Sequence, residues 1–240
     1  MDSGHKDSLQ LIFSRKIRKL FYVDIALVLL SLAVSFISYR YETSFNTVLW
    51  IANTEAHSGI FPWYGYMKLT TCSIFISLIY RHQAHNDRYV SPYWKLLLLV
   101  TIYFATDEIL RLSEITLAAV NNNIWAIALI LIVSVFCCLY LKYLAKLKSD
   151  IRNLFFLSSI VFISGSIFFE ATNFLASSLY AYGSDEFDLF LYIFLMTAEE
   201  FIKMLGASML FYALFRYMSQ QNIPTFLSFY LARKEEKNDR

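Results

Sequence analysis

Glycine and proline are scarce in this 240-residue chain, six and three respectively, so little interrupts a helix and long unbroken ones are expected. No stretch alternates polar and apolar residues between turn signals often enough to suggest a β-barrel. Cysteine is nearly absent as well. Cys72, Cys137 and Cys138 all fall in apolar runs without metal-ligand spacing and read as small buried hydrophobes. The four histidines are expected outside the apolar runs, His82 and His85 in one loop and His57 in another. No nucleophile elbow, phosphate loop or redox pair is present, and these absences leave no catalytic residue and no cofactor site to name. Nothing in the composition suggests nucleic-acid binding.

What is abundant is apolar surface. Hydrophobic residues make up 58% of the chain and aromatics 18%, against 17% charged, a balance that predicts an all-α, polytopic transmembrane helical bundle. Six spans are expected, near residues 17–37, 63–80, from 93 onward, 124–144, 154–175 and 189–218. A basic amphipathic segment, residues 1–16, precedes the 17–218 bundle, and a polar tail, 219–240, follows it. With both termini inside, 17 of the 21 basic residues fall on the inner side. This leaves Arg40, Lys68 and Arg111 at the outer edge and Lys203 within a span, so an N-in/C-in, multi-pass protein of a bacterial cytoplasmic membrane is predicted. Trp63, Tyr64 and Tyr66 then suit the headgroup level. The lipid bilayer is the partner this implies, and a second copy or a soluble protein would be a further one.

The charges inside the apolar runs are the candidate site. The run from Leu189 to Met218 carries Glu199, Glu200 and Lys203 near its middle. The third carries Asp107, Glu108, Arg111 and Glu114, and the fifth Glu170 and Asn173. At 1.5 Å per residue Asp107 and Glu199 reach similar depth, ~18 Å from one end of their runs and ~17 Å from the opposite one. Lys203 is three residues from Glu200 and four from Glu199, which permits pairing within the helix, and Arg111 stands three after Glu108. The expectation is that Asp107, Glu108, Glu170, Glu199 and Glu200 converge on one polar cavity that binds or conducts a proton or a cation, in transport or in sensing. Arg111, Lys203, Glu114 and Asn173 are their charge partners. The competing reading is a structural network in which the bases cancel the acids. A di-metal carboxylate site would want Glu-x-x-His on two helices, where this chain has Asn173 and Lys203, so metal binding is left open. Asp24 is a lone acid in the first run, either a proton stop or simply hydrogen-bonded. Gly206, Ser158 and Gly165 are small residues expected to let the last two helices approach closely.

The stretches TDEILRLSE, SGSIFFEATNF and AEEFIKMLGASMLFYALFRYM together resemble uncharacterised bacterial polytopic membrane proteins. In that pattern an Asp-Glu pair is followed by His-Glu, a lone Glu follows small residues, and Glu-Glu precedes Met-x-Gly. Ser113 stands before Glu114 where the pattern has His. The resemblance implies that these acids form one set and implies no activity. Two readings of other classes stay open: a membrane effector or signalling partner of a soluble protein, docking through residues 1–14 and the RHQAHNDR loop, and a membrane enzyme acting on a lipid or quinone.

Overall fold

The computed structural model describes residues 19–34, 37, 60–86, 91–110, 134–135, 137–180, 186–221 and 223, and their side chains except those of 84–86, 91, 166–180, 186–193 and 196. The described residues are all-α, six helices without a strand. They are α1 (residues 19–34), α2 (Ile60–Asn86), α3 (Ser91–Leu110), α4 (residues 137–144), α5 (Ser149–Tyr180) and α6 (Glu186–Gln220). Arg111, Glu114, the 1–16 segment and nearly all of the 219–240 tail lie outside the described residues.

Local signals account for several boundaries. Pro92 stands in the first turn of α3, where a missing N–H costs nothing. Asp150 stands in the first turn of α5, where a carboxylate is favoured by the exposed amides. At the far end of α6 the Ile223 N–H donates to the Met218 carbonyl at 3.0 Å. The Ile223 side chain is itself buried in the core, as expected where a helix end is closed by an apolar contact.

The architecture is set by α6, which packs along α5 and α2, while α2 also packs on α3. The main core joins Cys72, Ile76 and Ile79 of α2 to Trp94 of α3, Phe155 of α5 and Leu214 of α6, with Tyr140, Tyr143 and Leu144 of α4. Its densest part is aromatic. Tyr93 stacks on Tyr143 at a centroid distance of 3.6 Å, and Trp94 meets Tyr143 edge-on at 5.6 Å and Tyr217 at 5.1 Å.

The α5–α6 register can be read from two glycines. A Cβ placed on Gly206 would fall 2.6 Å from the Phe162 nitrogen, and one on Gly165 would fall 2.9 Å from the Lys203 nitrogen. Three residues up one helix correspond to three residues down the other, as in an antiparallel pair. Backbones this close require glycine at both contacts.

The membrane expectation is corrected here. Among the described residues no helix is long and apolar enough to cross a membrane, so the six-span, N-in/C-in, inner-membrane reading does not stand. The apolar runs that suggested it are broken by groups the structure uses internally: Lys68 and Ser73 in α2, Glu108 in α3, and Glu199-Glu200 with Lys203 in α6. The placement of Lys68 at an outer edge also fails, since its side chain is only 6% exposed. α1 follows an inverted pattern: Asp24 and Ser31, two turns apart, are its fully buried residues, whereas Tyr22, Val23, Ile25, Leu29 and Leu30 are exposed.

Candidate functional site

Three of the five predicted acids come together. On α6, Glu199 and Glu200 both reach the Lys203 ammonium, with Nζ–Oε1 distances of 2.7 Å and 2.8 Å. The spacing of four and three residues that the sequence offers is what places both carboxylates on the lysine's face. Glu199 is buried to 1% exposure, while Lys203 and Glu200 retain 18% and 19%. Glu108 approaches from α3, and a Cβ on Gly65 of α2 would lie 3.5 Å from its Cδ and Oε2. Gly165 of α5 closes the other side, where a Cβ on the glycine would lie 2.9 Å from the Lys203 Cγ. Four helices therefore contribute to the cluster, two through charge and two through the absence of a side chain.

The electrostatics follow from this crowding. Burial pushes the Glu108 carboxyl up to about 8, and Glu200, Asp107 and Glu199 push in the same direction while Lys203 opposes them. A carboxyl in an apolar setting beside other anions favours the protonated form. Burial works against the charge on Lys203, but Glu200, Glu108 and Glu199 outweigh it and hold the ammonium above the usual lysine range. The lysine is thus a fixed cation and Glu108 the group able to change state near neutral pH. Asp107 is partly exposed at the edge; burial, with a smaller contribution from the Asp107 charge, raises the Tyr103 phenol four residues before it.

The remaining predicted residues divide. Glu170 and Asn173 lie on α5 with their side chains outside the described residues, and Arg111 and Glu114 lie outside them altogether. Gly165 and Gly206 do set the α5–α6 approach, but Gly206 meets the Phe162 backbone, one turn from the expected Ser158. Ser158 lines a cavity instead. Among the described residues no group of three or more His, Cys, Asp or Glu side chains could hold a metal ion.

A second polar cluster was not anticipated as a unit. Asp24 of α1 pairs with Lys68 of α2. The Lys68 ammonium donates to Ser208 Oγ at 2.7 Å and to the Met204 carbonyl at 3.3 Å, both on α6. Ser208 in turn donates to Asp24 Oδ2 at 2.8 Å, and the Tyr64 hydroxyl donates to Asp24 Oδ1 at 2.9 Å. The three ammonium hydrogens thus have three acceptors, so the pair is closed on itself. Burial lowers the Lys68 ammonium's proton affinity, with Asp24 acting against it. Burial, with the Asp24 charge and its hydrogen bond, raises the Tyr64 phenol. Tyr64 therefore serves as a donor inside the bundle and not as a headgroup anchor. The available signal was the four-residue spacing of Tyr64 and Lys68 on one helix face, opposite a buried acid.

The family described as a domain of unknown function (DUF8692) matches residues 21–217. The chain belongs to that family. The match takes in both clusters of this DUF8692 protein, from Asp24 to Ser208. No curated protein and no solved structure matches the chain.

Proposed function

We propose that this DUF8692 protein is a proton-binding helical bundle that works as a sensor, with Glu108 as the group that gains and loses the proton. The observation that carries the reading is the gathering of three carboxylates, Glu108, Glu199 and Glu200, round the one ammonium of Lys203. Lys203 pairs directly with the two α6 acids, and Glu108 is left to adjust its charge by protonation. Its midpoint near 8 matches a group that changes state within the physiological range. Because Glu108 is on α3 and its neighbours are on α6, ionising it adds repulsion between two helices. That is the coupling a sensor needs between proton occupancy and shape. The pair Asp24–Lys68, already neutral and closed, serves in this reading as the fixed frame.

Difference infrared spectroscopy across pH 3–10 tests the proposal. A protonated-carboxyl band that titrates near pH 8 and vanishes in Glu108→Gln supports it. Titration of every carboxyl in the ordinary range near pH 4.5, with no band lost in Glu108→Gln, would falsify it. Lys203→Met gives an independent check, because loss of the ammonium should move the Glu108 midpoint upward.

A further inference from the structure

The end of the bundle where α2 and α6 finish and α3 and α5 begin differs from the rest of the molecule in charge. Contacts across it fix its level. Gln83 of α2 donates to the Tyr217 hydroxyl of α6 at 3.0 Å, and Arg216 of α6 reaches Asp150 of α5 at 3.6 Å. Trp94 of α3 lies 5.1 Å from Tyr217 and 5.6 Å from Tyr143 of α4, ring centre to ring centre. Within two residues of these contacts stand Arg81, Lys95, Lys142 and Arg152, while Lys146 and Lys148 turn the chain from α4 into α5. All six cations are exposed. None of them forms an ion pair with a described residue, and the carboxylate described at this level, Asp150, faces Arg216. The whole chain carries only +2, so the excess is local. The acids Glu199 and Glu200 lie with Lys203, ~20 Å back along α6 from Arg216. Salt screens charge over about 8 Å at physiological ionic strength, so cations gathered on one face present a positive field to an approaching anion.

We infer that this end is a docking surface for an acidic segment of a partner protein, held through its side-chain carboxylates. The class of polyanion is set by what accompanies the cations. A single nucleic-acid strand is held by stacking its bases on aromatic side chains, and Tyr93, Trp94, Tyr143 and Tyr217 at this level are buried. A duplex takes a helix or a β-ribbon into its groove, whereas this end presents helix termini and a tight connection. In that connection the Lys146 and Leu147 N–H groups donate to the Tyr143 and Leu144 carbonyls at 2.9 Å and 3.1 Å. A lipid surface is entered by apolar side chains set among the cations, and from Lys142 to Phe155 no large apolar side chain is exposed. Carboxylates on a peptide need only charge and reach, which ammonium groups on long flexible stems supply. The buried aromatic layer beneath holds the four helix ends together, so the cations stand on a packed base.

A fluorescein-labelled peptide of twelve glutamates is the probe, titrated with the full chain and followed by anisotropy. An oligothymidylate of the same charge and vesicles of phosphatidylglycerol are the competing ligands. The peptide is expected to bind saturably in 50 mM NaCl and at least tenfold more weakly in 300 mM, as screened contacts require. Lys146→Gln combined with Lys148→Gln should weaken it at least threefold, and adding Lys142→Gln and Arg152→Gln should weaken it further. Substitutions at such exposed positions leave the fold intact. Ile102→Glu combined with Ser164→Glu lowers the net charge by the same amount as the first pair. Both sites are exposed and lie ~16 Å and ~22 Å from the starts of α3 and α5, so affinity should stay within twofold. An equal loss in that control would overturn the inference, because net charge alone would then govern binding. So would the absence of peptide binding in 50 mM NaCl, or tighter binding of the oligothymidylate or the vesicles than of the peptide. None of these outcomes depends on the titration of Glu108.

Discussion

Gly165 lies so close to Lys203 that a methyl group at residue 165 would stand 2.9 Å from both the Lys203 amide nitrogen and its Cγ. The backbone atom is the decisive neighbour, because a lysine stem can bend away and a helix backbone cannot. The glycine therefore fixes how deeply α5 and α6 approach at the level where the acids gather.

Gly165→Ala should destabilise the protein by about 1–3 kcal/mol, the usual cost of overpacking a tight contact. Gly65→Ala is the control, because its new methyl would sit 3.5 Å from Glu108, an ordinary contact. Alanine's better helix propensity, worth about 1 kcal/mol, should there leave stability unchanged or improved. Urea midpoints of the two variants would separate them. Similar losses in both would mean that the Gly165 contact is not tight.

Gly206 is tighter still, with the added methyl 2.6 Å from the Phe162 nitrogen and 2.7 Å from its Cα. Gly206→Ala should cost more than Gly165→Ala, and Gly206→Leu should separate α5 from α6 outright. The resulting loss of the aromatic core's rigid packing would be read as a weakened near-ultraviolet circular dichroism signal. A Gly206→Leu protein with native stability would remove the contact from the argument.

The sequence was informative wherever one helix carries the whole relationship. Glu199, Glu200 and Lys203 are spaced to meet on a single face, and they do. Glycine at 165 and 206 signalled close helices for the same reason. Relationships between helices were less legible. Glu108 could be placed at the right depth but not on a given side of α3. Asp24 could not be joined to Lys68, because the partner lies 44 residues away and helix periodicity carries no information across a connection. The assumption of a bilayer then worked against the reading, since counting Lys68 among outer-edge charges removed it from consideration as an interior one. Apolar composition reported helices correctly and the environment of those helices incorrectly.

Glu108 gives the fold a definite pH dependence. Its carboxyl sits at about 8 in the folded protein against an ordinary 4.5, so between those values the folded state holds a proton that the unfolded state has lost. Stability from this group is therefore greatest at and below about pH 4.5, falls as pH rises, and levels off above about pH 8. Lys203 adds a loss of the same sign at high pH, since its raised value keeps the ammonium in the folded protein after the unfolded chain has lost it, and its contribution declines from the ordinary lysine range upward. Urea denaturation at pH 5, 7 and 9 should show stability declining across the series in the native sequence and a flatter profile in Glu108→Gln. Parallel profiles in the two proteins would show that another group governs the slope.

The Asp24–Lys68 pair predicts strong coupling between two sites. Lys68→Met leaves the Asp24 carboxylate at 0% exposure without its cation, a change that typically costs about 3–5 kcal/mol. Asp24→Asn strands the ammonium in the same way, with Ser208 and Met204 its remaining acceptors. The double variant removes both charges, and the amide oxygen that replaces the carboxylate can still accept from Tyr64 and Ser208, so most of the loss should be recovered. A double-mutant cycle by chemical denaturation should then give a coupling of at least about 2 kcal/mol, near the upper part of the range for directly interacting neighbours. Strict additivity would mean that the two charges are solvated separately and that α1 is held to the bundle by other contacts. Large coupling would instead identify this neutral pair as the anchor of a helix whose apolar side chains face outward and supply little packing of their own.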